Sequence, residues 1–402
     1  MRIAVYHDLP SGGGKRALHE TVRRLAGRHT VDAFSLTAAD HKFCDIRPFC
    51  SNHTVFPYVP LPLAGTPFGR INQAVRVVDL WRLRRLERHI AATIDRARYD
   101  VVYVHNCQFG QSPNVLSFLR TPSVYYCAEP PRHLYEPAPD RPYLRSTGLR
   151  GTIDRIDPLI RLYRGTLARI DRSNARAARL VLANSAYSQA TLRRIYGLHA
   201  QVCRLGVDAE RFRPLGHSRS NFVLSTGALR SNKGFDFLLQ SLGLIDATRR
   251  PPLVIVSNAA VDGEREYLQQ LASRLGVQLT LRTLVSDDEL VRLYNEALLT
   301  LYAPVMEPFG LVPLESMACG TPVVGVCEAG IRESVLHEQT GLLTDRDPER
   351  FREATVRLLD DQEVRTRFGQ RGRAEVERYW QWERCVRDVE AQLVTAAHHA
   401  GH

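Results

Sequence analysis

Residues 306–324, MEPFGLVPLESMACGTPVV, decide how the chain is read. Glu307 and Glu315 bracket the stretch with seven residues between them. Pro313 has the fixed φ that suits a first helical position, Glu315 then falls in the electropositive first turn, and Gly320 can end the short helix in the left-handed region. Val323, Val324 and Val326 continue as a strand. The loop Glu307-Pro308-Phe309-Gly310-Leu311 therefore points free N–H groups at whatever occupies the helix N-terminus, which suits a phosphate. The two carboxylates beside it can accept bonds from sugar hydroxyls. In outline this is a sugar-nucleotide site. An ordinary loop with one dipole-matching Glu fits the same spacing, so the context has to decide.

The context is an alternation of strands and helices that starts at the first residues. Strand-like runs cover residues 2–6, 30–36, 99–104, 123–127 and 180–183, with an amphipathic helix over 15–27. Residues 206–221, with Pro214 and Gly216 and little periodicity, read as a linker. The rhythm then restarts with strands at 222–226, 253–257, 278–282 and 299–303. Such alternation predicts an α/β protein of two doubly wound, Rossmann-like halves. The expected domains are 1–205, a linker at 206–220, a second domain at 221–380, and a helix and tail at 381–402 that returns to the first domain. The end from Ala396 is expected to fray.

Length and composition fit that reading, since 402 residues with 44% hydrophobic and 24% charged content suit two folded cores. No run approaches the length of a membrane span, and no leader pattern opens the sequence, so a cytosolic protein is expected. Eight scattered cysteines with no Cys-x-x-Cys pair suggest neither disulfides nor a zinc site. The formal charge of +11 is concentrated in residues 70–179, which hold roughly twenty Arg against about ten acids. A solvated basic face accounts for this, and so does an anionic leaflet, an anionic acceptor or nucleic acid. Arg82, Arg84, Arg85 and Arg88 share a helix-like run with Trp81, which makes peripheral contact with the inner face of a membrane one option.

Other segments carry candidate chemistry. Gly227-Ala228-Leu229-Arg230-Ser231-Asn232-Lys233-Gly234 follows a strand and brings Arg230 and Lys233 to the carboxyl edge of the sheet, where they can grip a diphosphate. A solvated turn capped by Ser231 or Asn232 is the plain alternative. Ser11-Gly12-Gly13-Gly14-Lys15 lets the backbone approach a ligand closely, but it is neither a G-x-G-x-x-G fingerprint nor a P-loop, which disfavours a dehydrogenase or an ATPase. His105 ends a strand, where it is either structural or catalytic. Asn184 and Ser185 end another, with helix capping as the default. Residues 125–143 crowd Tyr126, Arg132 and several prolines into a stretch that is either an acceptor pocket or a surface loop.

Taken in order, these segments resemble the retaining glycosyltransferase family 4 group, with its two-Rossmann GT-B fold and a central cleft. The resemblance rests on the glycine loop at 11–14, His105, Ala183-Asn184-Ser185, Gly206-Val207-Asp208, Phe212-Arg213-Pro214, Lys233-Gly234, Glu307 to Glu315, and Thr340-Gly341-Leu342-Leu343. It implies that Glu307 holds donor-sugar hydroxyls and Glu315 the ribose, and that the amides around Phe309, Gly310, Leu311 and Val312 meet the sugar and diphosphate. It further implies that Lys233 and Gly14, with Gly13 and Gly227 beside them, face phosphate, that His105 lines the cleft, and that Val285 faces the base. Tyr126, Arg132 and Asn184 are the acceptor-side candidates. Family members commonly carry Arg where this chain has Ala228, and Arg230 is the candidate to replace it.

The implied reaction is a metal-independent, cofactor-free transfer of a hexose-type sugar from a UDP- or GDP-linked donor to a hydroxyl acceptor, with an α-linkage formed. Nucleic acid is not an expected partner. GT-B phosphorylases, nucleotide-sugar epimerases and a basic nucleic-acid-binding protein are the rival readings. The last of these lacks a helix-turn-helix, RNP or zinc signature.

Overall fold

The computed structural model describes residues 1–65, 72–136, 141–144 and 157–398. Strands β1 (Arg2–Asp8), β2 (Thr30–Leu36), β3 (Asn52–Phe56), β4 (Val101–Cys107), β5 (Ser123–Tyr126), β6 (Leu180–Ala183) and β7 (Gln201–Val202) form one sheet in the order β3-β2-β1-β4-β5-β6-β7. A second sheet, ordered β10-β9-β8-β11-β12-β13, is built from β8 (Val223–Thr226), β9 (Leu253–Ser257), β10 (Leu279–Thr283), β11 (Leu299–Tyr302), β12 (Val323–Val326) and β13 (Gly341–Thr344). All ladders between these strands are parallel. This is the expected pair of doubly wound sheets. In each, the strand order reverses beside the first strand, between β1 and β4 and between β8 and β11, and ligands of such sheets bind at the carboxyl ends beside that switch.

Strand sequence explains burial. β1 is buried over six of its seven residues and β9 over all five, as strands covered on both faces by helices must be. The first core gathers Tyr6, Ile90, Val102, Val104, Tyr125 and Leu192, and the second gathers Val223, Phe235, Leu238, Ile255, Leu301 and Phe351.

The chain divides into two compact units. One comprises Met1–Ala138, Ser146–Arg204 and Cys385–His402, the other Pro139–Arg145 and Leu205–Arg384. Residues 206–220, read as a linker, thus count with the second unit, where Arg219 donates to the carbonyls of Tyr294, Ala297 and Gly320. The last helix, Trp382–His398, enters the first unit at Cys385, and there Glu390 accepts from Arg28 and His29 at 2.7 Å each.

Two local expectations change. Helix α1 runs over Gly13–Leu25, two residues earlier than expected, because Gly12 (φ 137°) makes the turn and leaves Gly13 and Gly14 helical. At the other end Ala396 is buried in the last helix and does not fray, because Leu393 and Ala396 both pack inward. The rest of the expected frayed tail, 399–402, lies outside the described residues, as do 137–140 of the proline-rich stretch. No helix among the described residues is long and apolar enough to cross a membrane.

Candidate active site

In the second unit β8 runs into Gly227, and a short 3-10 turn, Ser231–Lys233, follows. Gly234 then takes φ 67°, and a Cβ there would stand 2.0 Å from the Ala303 carbonyl oxygen, so only glycine lets the turn press against the end of β11. The turn aims Lys233, whose Nζ lies 3.0 and 2.9 Å from the two carboxylate oxygens of Glu307. Two site residues 74 positions apart in sequence are thereby in contact. Arg230 is different. It sits in extended backbone with an exposed side chain, and its guanidinium makes no hydrogen bond or ion pair among the described residues.

The loop from Glu307 to Leu311 is held from three sides. Gly310 has φ 82°, and a Cβ would lie 2.2 Å from the Tyr302 hydroxyl, so neither its backbone nor its surroundings accept another residue. The Gly330 amide donates to the Glu307 carbonyl at 3.0 Å. Phe309 is buried against Trp380, ring centroids 5.7 Å apart, so it offers a ligand only its backbone. Leu311 and Val312 are half-buried at the start of the helix Val312–Ala318, which has Pro313 and Glu315 in its first turn as expected. This helix has only seven residues, so an anion at its start is held by individual amides more than by a macrodipole.

Glu315 is buried and accepts from the Tyr294 hydroxyl at 3.0 Å, which is 3.1 Å from Thr226 Oγ1. Burial, and after it the charge of Glu315, holds the Tyr294 hydroxyl well above its ordinary pKa, so it stays a proton donor. Val285 follows the exposed Leu284 in the turn after the edge strand β10.

Arg141 is a residue that the sequence reading missed. It belongs to the second unit although its sequence neighbours belong mostly to the first. Its guanidinium donates to both oxygens of Asp236 at 2.9 Å, to Glu264 at 3.3 Å and to the Ser231 carbonyl at 3.0 Å. It thus braces the turn that carries Lys233. Tyr143 also bonds Glu264 and packs over Gly263. No motif marks Arg141 in the sequence; it is one arginine among many. Arg346 is a second missed brace, pairing with Glu328 and donating to the carbonyls of Ala303 and Pro304 at 3.0 and 2.9 Å.

In the first unit His105 is buried at the end of β4, edge-on to Tyr103 and stacked on Tyr126 at 5.3 Å. Its Nε2 has no hydrogen-bond partner among the described residues. Burial, and secondarily the charge of Lys15, pushes its pKa down to about 3, so it is a neutral imidazole at ordinary pH. Lys15, which the sequence reading used only to reject a P-loop, is itself buried, with Nζ 3.4 Å from His7 Nε2. It has no carboxylate in ion-pair range among the described residues, and burial lowers its pKa, partly offset by Asp45 and Asp40. β1 pairs with β4 through Val5–Tyr103 and Tyr6–Val104, and the register shifts just beyond, so His7 and His105 stand at the same irregular point of the ladder, close enough for His105 to act electrostatically on His7.

The three acceptor-side candidates are each engaged within this unit. The Tyr126 hydroxyl donates to the Cys203 carbonyl at 2.9 Å, and Arg132 Nε donates to Glu129 at 2.6 Å. Asn184 is buried, with its Oδ1 2.7 Å from Ser188 Oγ, while Ser185 caps the helix Ala186–Tyr196 as the default reading expected.

The family described as Glycosyl transferases group 1 matches residues 207–375, and the Glycosyl transferase 4-like domain matches residues 12–208. An uncharacterised glycosyltransferase of Methanocaldococcus jannaschii is 30% identical over 170 residues, 42% of this chain and 43% of that protein. A D-inositol 3-phosphate glycosyltransferase of Corynebacterium jeikeium is 33% identical over 202 residues, 44% of this chain and 48% of that protein. The chain thus spans under half the length of these relatives. D-inositol 3-phosphate glycosyltransferase 1 of Catenulispora acidiphila is 28% identical over 382 residues, 88% of this chain and 84% of that one. Among solved structures, sucrose-phosphate synthase from Thermosynechococcus elongatus superposes with a TM-score of 0.73 at 19% identity, covering 98% of this chain and 100% of that one. Anabaena Alr3699/HepE in complex with UDP-glucose gives 0.67 at 19%, with the same coverage. These likenesses show the fold, which is GT-B. The two family matches meet at residues 207–208 and together reach from residue 12 to residue 375, so the chain belongs to the group 1, family 4-type glycosyltransferases.

Proposed function

We propose that the protein transfers a hexose-type sugar from a nucleoside diphosphate donor to a hydroxyl acceptor, with retention of configuration and an α-linkage in the product. The observation that carries this is the contact of Lys233 Nζ with both oxygens of Glu307. Without donor, each neutralises the other. An incoming diphosphate can take Lys233, which frees Glu307 to accept bonds from sugar hydroxyls while the amides of Gly310 and Leu311 meet the phosphate. Lys233 then stabilises the charge that grows on the leaving group, the role a divalent cation plays in other transferases, so the scheme requires no metal. On the front-face route the bond from the anomeric carbon to the phosphate oxygen breaks. The bond to the acceptor oxygen forms on the same face, and the acceptor proton passes to the departing phosphate. Glu315, held by Tyr294, is suited to the ribose.

UDP heads the order of testing, because Alr3699/HepE is a fold neighbour solved with UDP-glucose. Thermal shift with UDP, GDP, TDP and ADP tests the donor half, since a ligand at about 100 times its Kd adds about 2.7 kcal/mol of stability. One base should raise Tm clearly above the others. The corresponding nucleotide sugar is then offered with acceptors that include inositol 3-phosphate, the compound in the relatives' names. Absence of any nucleotide shift together with absence of sugar release removes the reading. An inverted anomeric centre in the product removes retention alone.

A further inference from the structure

Among the described residues of the first unit, the exposed large hydrophobic side chains are Val55, Val59, Leu63, Val78, Trp81, Leu159 and Leu162, with Val59 exposed to 73% and Trp81 and Leu162 to 58% each, and five of the seven stand on or beside two neighbouring helices. Val78 and Trp81 stand on α2 (Asn72–Arg96), while Leu159 and Leu162 stand on the first turns of the helix Pro158–Ala177, which packs against α2. The backbone beside Val59 is tied to α2, because Arg82 donates to the Val59 carbonyl and Leu61 N donates to Asp79. Arg76 lies over the ring of Tyr163 at 5.9 Å, which joins the same ends of the two helices.

The charge on this face is of one sign. The exposed side chains of α2 include Arg76, Arg82, Arg85, Arg88 and Arg96, and those of the neighbouring helix include Arg161, Arg164, Arg169, Arg172 and Arg176. Neither helix exposes an acid. Asp79 and Asp95 are half-buried, and Glu87 and Asp171 are fully buried. Among the described residues Arg82 alone of these ten is in an ion pair, with Asp79. Helical spacing puts Val78, Trp81, Arg85 and Arg88 in one stripe of α2, and Leu162, Arg169, Arg172 and Arg176 in one stripe of its neighbour. In each helix this stripe lies opposite the buried side chains, which include Leu83, Glu87, Ile90 and Ile94 on α2 and Leu167, Asp171, Asn174 and Ala175 on its neighbour, and the two helices pack against each other.

We propose that this double-helix face docks on an anionic lipid surface, with Trp81, Val78, Leu159 and Leu162 entering the interface and the arginines binding headgroups. Nucleic acid would use the arginines but has no need of four exposed aliphatic and indole side chains at one end of the face, whereas a bilayer interface stabilises them. The inference does not rest on the transfer reaction, so loss of one leaves the other standing.

Flotation of the full chain with phosphatidylcholine vesicles, with and without about 30 mol% phosphatidylglycerol, tests it. Binding should require the anionic lipid and fade with salt as the Debye length shortens. Arg85→Ala and Arg169→Ala should each weaken partitioning about fivefold, while Arg274→Ala, an exposed arginine of the second unit, should leave it unchanged. Trp81→Ser and Leu162→Ser should weaken vesicle binding several-fold and leave any binding to duplex DNA unchanged. All these positions are exposed, so folding is retained and circular dichroism verifies it. No preference for anionic vesicles, an equal loss with Arg274→Ala, or tight duplex binding combined with indifference of vesicle binding to Trp81→Ser would each overturn the proposal.

Discussion

In the second unit Lys233 rests on both oxygens of Glu307, and Arg141 on Asp236 and Glu264. In the first unit Lys15, His7 and His105 are buried with no carboxylate in ion-pair range among the described residues. The two sheets run in the same strand order apart from the extra edge strand β7, and these two clusters treat charge in opposite ways. Paired charges fix the second unit's loops before any ligand arrives, at the cost of having to be separated when one binds. Unpaired groups in the first unit are held toward their uncharged forms by burial, so His105 keeps a hydrogen-bonding nitrogen without a positive charge.

The largest test of this contrast separates the partners of the pair. Lys233→Ala and Glu307→Ala should each lower turnover by about two to three orders of magnitude, because both remove groups proposed to act in the transition state. Nucleotide affinity should divide them. Lys233→Ala is expected to lose about 1.5–3 kcal/mol of binding for the cognate nucleoside diphosphate, and Glu307→Ala to lose none. Titration calorimetry beside steady-state rates makes the comparison, and equal affinity losses would break it.

A second test removes the brace. Arg141→Ala leaves Glu264, which is fully buried, without its cation, and should cost about 3–5 kcal/mol in denaturant melts of the full chain. Arg141→Lys should recover only part of that, since one ammonium does not span Asp236, Glu264 and the Ser231 carbonyl. Full recovery with Lys would reduce Arg141 to a simple point charge.

The smallest effect concerns Glu87, buried in the first unit, which accepts from the Tyr6 hydroxyl and from the side chain and backbone amide of Asn114. Burial pushes its pKa up to about 7 from 4.5. The folded protein thus retains a proton that the unfolded chain releases, and between those two values stability falls as pH rises. Glu87→Gln does not ionise, so its Tm relative to the parent should improve from about pH 5 to about pH 7 and level off above. A Tm difference independent of pH would show that Glu87 is not protonated in the folded state.

Much of the second unit was legible in sequence because its signals are local. Pro313, Glu315 and Gly320 mark a helix by position alone, and the Gly234 turn follows its strand directly. The pairing of Lys233 with Glu307 was not legible, since it depends on β8 lying beside β11, a fact of topology. Arg141 was hidden for a stronger reason: it leaves its own sequence neighbourhood to pack in the other unit. In the first unit the lack of a carboxylate beside Lys15 among the described residues was invisible, because burial without a counter-ion leaves no mark in composition. The acceptor-side candidates Tyr126, Arg132 and Asn184 have residue types suited to a ligand, but each is already engaged by a neighbouring group in its own unit.

The excursion that carries Arg141 and Tyr143 into the second unit has a practical consequence for dividing the chain. A fragment from Leu205 to Arg384 looks self-sufficient in sequence, yet it would omit the cation that neutralises Asp236 and Glu264 and the ring that covers Gly263. Chimeras that exchange halves between relatives at a single junction near residue 205 would mismatch this contact whenever the two parents differ at position 141 or 264. The exchangeable unit is a two-piece one, and any exchange of this half has to move both pieces together.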